Sequence, residues 1–148
     1  VADFRVEREV VIEAPIDVVW RTITEPDQIS QWFADRVALE LEPGGNGHLG
    51  FGEKGGGPIV VEVVEEPTFF SYRWNHPEGE TAIDGNSMLV AFTLRPEGPE
   101  RTTLHVVESG HELRGWPEAE VDRYAQEHGG GWATHLGRLA QLFPRPNR

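Results

Sequence analysis

The chain contains no cysteine, so it has neither a disulfide framework nor a thiolate for metal binding or nucleophilic attack. Positive charge is scarce as well: 13 lysine and arginine residues stand against 25 aspartate and glutamate residues, a formal net charge of -12. A field of that sign repels phosphate backbones and anionic lipid, which disfavours nucleic acid and membrane surfaces as partners. No run approaches 18 apolar residues, and the start, "VADFRVEREV", lacks the basic and apolar regions of a signal peptide. The expectation is a soluble protein of the reducing cytoplasm. Apolar material is not lacking: hydrophobic residues make up 38% of the 148, with five tryptophans among them, enough for one proper core. No linker, repeat or low-complexity block divides the chain, so a single domain spanning residues 1–148 is expected.

In "FRVEREVVI", Phe4, Val6, Val10 and Ile12 fall at every second position with Arg8 in the same register. This pattern predicts a half-buried strand with a basic residue on its inner face. "APIDVVWRTIT" sets Ile16, Val19, Trp20 and Ile23 at helical spacing behind Pro15, and a first helix is expected to about Thr24. "EPDQISQWF" restarts at Pro26 and predicts a short second helix with Ile29, Trp32 and Phe33 on one side. Six strands should follow, in "RVALELEP", "GHLGFG", "PIVVEVVEE", "TFFSYRW", "SMLVAFTLRP" and "RTTLHVVES", with turn signals suited to an antiparallel meander. Pro117 then opens a final helical pattern that recurs every three or four residues to Phe143. Such a helix is about 40 Å long and can cross the whole sheet, which would curl around it.

Three consecutive glycines, Gly129 to Gly131, interrupt that helix. At about 0.8 to 1 kcal/mol each, they cost the isolated helix about 2.5 to 3 kcal/mol, and a penalty of that size calls for a reason.

Other motifs carry less. "GNGHLG", Gly45 to Gly50, has the three glycines of a dinucleotide loop, but strand-like sequence follows it instead of a helix, so a hairpin is expected. His128 and His135 share a helical face about 10.5 Å apart along the axis, too far to hold one ion without a third element. His48, His76, His105 and His111 lie in different segments, and neither a metal site nor a cofactor is expected. No pairing of nucleophile and base is visible. Glu108 in "VESG" is read as structural: it could face the interior, but a solvent-facing charge is the more common case.

The order of elements, "EAPIDVVWRTITEPDQISQWF" near the start, "TLHVVESG" in the last strand and "GGWATHLGRLAQLF" in the last helix resemble the family related to the C-terminal domain of the activator of heat-shock protein 90 ATPase. That family belongs to the START-like (SRPBCC), helix-grip superfamily, which includes the birch-pollen-allergen fold. The resemblance covers nearly the whole chain. It implies an α+β, helix-grip fold: a curved antiparallel sheet of six to seven strands around a long C-terminal helix, with two short helices after the first strand. It also implies a cavity of the kind that holds lipids, hormones or polyketides elsewhere in the superfamily. Gly131 and Trp132 match the family's Gly-Trp pair, and the favoured reading is that Gly131 packs under an aromatic ring while Gly129 and Gly130 bend the helix.

The expected function is binding of a small apolar or amphipathic molecule in that cavity. Its expected lining is Arg8, Trp32, Phe33, Tyr72, Trp74, His128, Gly131, Trp132 and His135, with no catalytic residue assigned. A second reading is a protein-interaction, stress-response or co-chaperone-like module. The eukaryotic activators use a separate N-terminal domain for much of the chaperone contact, so chaperone binding is the weaker form of that reading. A third is a cyclase- or dehydratase-type enzyme, in which Arg8 would orient an anion, Tyr72 donate a proton, and His128 or His135 act as acid or base. A homodimer through an exposed strand edge is compatible with all three.

Overall fold

Alternation of apolar and charged residues in the first segment produces strand β1, Phe4–Ile12, as its spacing predicts. The structure is a computed structural model and describes residues 4–52, 56–74, 87–110 and 118–144. Helix α1, Ile16–Thr24, follows Pro15 and buries Val19, Trp20 and Ile23 at helical spacing. Helix α2 is a single turn, Pro26–Ile29. The strands are β2 (Arg36–Leu39), β3 (Asn46–Gly50), β4 (Gly56–Glu65), β5 (Phe69–Trp74), β6 (Met88–Gly98) and β7 (Arg101–Gly110), and helix α3 spans Glu118–Gln141.

The strands form one antiparallel sheet in the order β1-β7-β6-β5-β4-β3-β2. Strands β2 to β7 are thus a meander, and β1 returns to pair with the last strand. Its register fixes the inner face. One row of residues runs across five strands as Val6, Glu108, Val90, Tyr72 and Val61. The next inner row along the same strands brings Val106, Phe92 and Phe70 together. Because side chains alternate across a strand, both rows face the helices. All eight of these residues are buried.

Three elements are shorter than their patterns predict; α3 ends at Gln141, before Phe143. Helix α2 stops at Ile29, and Trp32 and Phe33 lie in the turn beyond it; there the Trp32 indole N–H donates to the Thr22 carbonyl at 2.9 Å. That bond ties the turn to the end of α1 and draws both rings into the core. Strand β2 ends at Leu39 instead of reaching Pro43, because the chain turns at Glu40 to Gly45. The Glu40 N–H donates to the Asn46 carbonyl, its carboxylate accepts from the Asn46 N–H, and Gly44 takes the left-handed φ of 83° that the turn needs. The "GNGHLG" segment is the β3 strand and leads through Gly52 toward β4, not into a helix.

Helix α3 is continuous through the glycine triplet and, with 24 residues, is about 36 Å long. It lies against β1. The close approach is at Gly129, where an added Cβ would come within 2.5 Å of Arg8 Nη2 and 3.6 Å of Val6 Cγ1. At Gly131 an added Cβ would meet nothing within 4 Å, so the expectation that this glycine packs under a ring is wrong. Gly130 is likewise open. Among the described residues no helix is long and apolar enough to cross a membrane.

These contacts separate the three glycines energetically. Gly130→Ala is expected to raise stability by about 0.8 to 1 kcal/mol, the helix-propensity gain with nothing to oppose it. Gly129→Ala should gain clearly less, because the Arg8 guanidinium must move. Urea unfolding of the two variants beside the parent chain measures both; equal gains would remove the close approach as the reason for Gly129.

Candidate functional site

Where the inner face of the sheet meets α3, a carboxyl group is held between two indoles. Glu108 has 0% exposure. Its Oε2 accepts from Trp74 Nε1 at 2.8 Å and its Oε1 from Trp132 Nε1 at 3.0 Å. Trp74 comes from β5 and Trp132 from α3, so the carboxyl joins helix to sheet. Burial of a carboxyl without such donors costs several kcal/mol, which makes the indole N–H groups a condition of the arrangement. Reading Glu108 as a surface charge is therefore overturned. The missed signal was alternation: Thr102, Leu104, Val106 and Glu108 are every second residue of β7, and all four are buried.

Next to this clamp the aromatic side chains gather around Phe33. Its ring stacks on Trp132 at 5.0 Å and 22° and on Trp32 at 5.1 Å and 21°. Phe51 and His135 meet it edge-on at 5.3 and 4.9 Å, and Trp74 lies tilted at 6.0 Å. A ring with faces and edges in these orientations satisfies the quadrupole preferences of aromatic pairs on every side. His135 Nδ1 donates to the Trp32 carbonyl at 3.3 Å, which orients the imidazole against Phe33.

Behind Phe33 is a cavity lined by Ile23, Ile29, Trp32, Leu49, Phe70 and Tyr72, among others. Its volume is about 10 Å³, counted as the space open to the centre of a water molecule, or room for about one water. Tyr72 is 2% exposed, and its hydroxyl has no hydrogen-bond partner. Burial, and then the neighbouring Glu108 carboxylate, push its pKa well above the ordinary tyrosine value of 10.0, so the phenol keeps its proton. Tyr72 also packs edge-on against Trp74 at 5.6 Å.

The structure thus brings Trp32, Phe33, Tyr72, Trp74, Trp132 and His135 together. Arg8 stands apart. Although it shares the inner register of β1, its side chain is exposed, donates from Nη1 to the Glu7 carbonyl at 2.7 Å and passes over Gly129. At Gly131 a Cβ would point into open space, so no ring lies over this glycine among the described residues. His128 lies in α3, but its side chain is outside the described residues. Phe51, Phe92 and Glu108 join the cluster although sequence reasoning had not selected them. Among the described residues no group of three histidine, aspartate or glutamate side chains is placed to hold a metal ion.

A family model described as Activator of Hsp90 ATPase homolog 1-like protein matches residues 13–144. Protein MLL2253 from Mesorhizobium loti is similar in structure, with 27% identity and a TM-score of 0.75 over 93% of this chain and 95% of that one. DynU16, a protein of the dynemicin biosynthetic locus, is 31% identical with a TM-score of 0.74; the match covers 95% of this chain and 47% of DynU16. This chain therefore spans about half of that protein's length. The Aha1 dimer from Colwellia psychrerythraea has a TM-score of 0.74 over 94% of this chain and 95% of that one, and at 16% identity the likeness is one of fold. Among curated proteins, none matches the sequence significantly.

Glu108→Gln should cost about 1 to 3 kcal/mol, because the amide nitrogen faces one of the two indole N–H groups donor to donor. Urea unfolding followed by tryptophan fluorescence measures this; a loss under 0.5 kcal/mol would mean that the clamp is not needed. Tyr72→Phe removes a buried, unpartnered hydroxyl and should stabilise by about 1 kcal/mol near neutrality. The parent chain should also lose stability above pH 10. There the unfolded chain gives up the Tyr72 proton while the folded chain retains it, so the unfolded state binds fewer protons and stability falls as pH rises. Stability measured from pH 8 to 11 checks the sign: the downward slope should be shallower in Tyr72→Phe.

Proposed function

The chain belongs to the Activator of Hsp90 ATPase homolog 1-like family, and we propose that it binds a small, mostly apolar molecule between the sheet and helices α1, α2 and α3. The observation that carries this reading is the cavity behind Phe33, whose described lining is aliphatic and aromatic and includes Tyr72 with its unpartnered hydroxyl. Ligand sites are typically apolar enclosures with a small number of placed polar groups, and this one has that composition.

Its size sets the mechanism of entry. A space of about 10 Å³ admits no organic molecule, so binding requires a side chain to leave. Phe33 is the side chain to move, because it lies in the turn after α2 and not within a strand or a long helix. Its departure opens the faces of Trp32 and Trp132 to a replacement ring. The ligand must then repay the aromatic contacts that Phe33 gives up, which favours ring compounds over flexible chains.

The relationship to DynU16 supports a role with small molecules, since that protein's locus is a biosynthetic one. The two sheet edges, β1 and β2, leave room for the homodimer considered from the sequence, and a dimer is the form of the Colwellia protein. A dimer does not alter the proposed site.

Native mass spectrometry of the protein purified from its own host tests the reading. The expected result is an additional small mass that disappears on unfolding and is absent from Trp132→Ala, which lacks one wall of the ring seat. A spectrum of bare protein, together with no thermal shift across a panel of small aromatic compounds, would remove the proposal.

A further inference from the structure

Among the described residues that line the cavity, Tyr72 carries the unpartnered polar group, and its chemistry selects among ligands. We propose that the Tyr72 hydroxyl anchors an acceptor oxygen, such as a ketone, on a ring-bearing ligand. This inference rests on the proposed binding function and specifies the class of molecule bound.

Three observations lead to it. Tyr72 lines the cavity at 2% exposure, and among the described residues its hydroxyl is the buried side-chain polar atom that finds no partner. A buried water needs two to four polar partners to be well held, and this hydroxyl supplies one, so water there is readily displaced by an acceptor that comes with its own apolar body. The phenol keeps its proton to high pH and is a donor throughout the physiological range.

Phe33 marks the ring seat: a flat ring already sits there, with indole faces at 5.0 and 5.1 Å.

Acetophenone and ethylbenzene test this with one ring and two different ends. Binding to the parent chain and to Tyr72→Phe is followed through the tryptophan indole N–H resonances, with Phe33→Ala as the opened form. Ethylbenzene is the more hydrophobic probe, so the informative quantity is the ratio of the two dissociation constants and not either alone. Tyr72→Phe is expected to shift that ratio against acetophenone by about 3- to 10-fold, the worth of one hydrogen bond.

An unchanged ratio in a variant that still binds both neutral probes would overturn the Tyr72 anchor and leave the binding function standing. Failure of acetophenone and ethylbenzene to bind either the parent chain or Phe33→Ala would sink the binding function itself.

Discussion

The carboxyl of Glu108 is the constraint on which the rest of the arrangement depends. A group with 0% exposure in the middle of the inner face is tolerable only with donors, and the indoles of Trp74 and Trp132 supply them from two different elements. Such a bond pair has direction, which apolar packing lacks. It fixes where along its length, and at what rotation, α3 rests on the sheet. Phenylalanine at either indole position would fill similar space and leave an oxygen of Glu108 without that donor. Gly129 serves the same placement: three residues before Trp132 it lies on a neighbouring part of the helix surface, where Arg8 and Val6 come too near for a larger side chain.

Once α3 is placed, the space between helix and sheet is closed by Phe33. The Trp32 indole bond to Thr22 orients the turn, and the Asp35 N–H bonded to the Gly50 carbonyl at 2.7 Å returns the chain to the sheet beside β3. Phe33 is held between these two anchors by ring contacts. The interior of the protein is thus divided: the clamp is polar and directional, while the ring seat is apolar and depends on shape. An interaction of the second kind can be exchanged for another of similar shape more easily than the first.

Much of the architecture was legible in the sequence because the strands alternate cleanly and α3 keeps its period through the triplet. Residues 4–12 carried the full extent of β1, and the meander followed from the turn signals. The aromatic members of the candidate site were also accessible, since large rings on one strand, on the last helix and just after the second helix have few other places to go. Less visible were features decided by partners far along the chain. Arg8 has the same register as Val6 and Val10, and only the position of α3 shows that its side chain runs to solvent. Gly129 and Gly131 are indistinguishable in sequence; their difference lies in which one faces β1. Glu108 was on the apolar register of β7 all along, and the usual preference of a carboxylate for water outweighed that pattern until its indole partners were known. The length of α2 was set by the Trp32 bond to Thr22, which no local propensity contains.

The pairing of β1 with β7 has a consequence for how the chain is made. Phe4 is opposite Gly110 and Ile12 is opposite Thr102, so the first strand lies beside the last one. While the polypeptide leaves the ribosome, β1 must wait for about 90 residues of intervening chain, which at 5 to 20 residues per second is roughly 5 to 20 s. Strands β2 to β6 can pair with their sequence neighbours during that interval, whereas β1 has no place in the sheet. Its alternating Arg5, Glu7, Arg8 and Glu9 keep this waiting segment charged, which discourages it from pairing with another nascent chain. Completion of the fold is therefore an event of late synthesis, in which one end of the sheet is closed only when β7 has emerged.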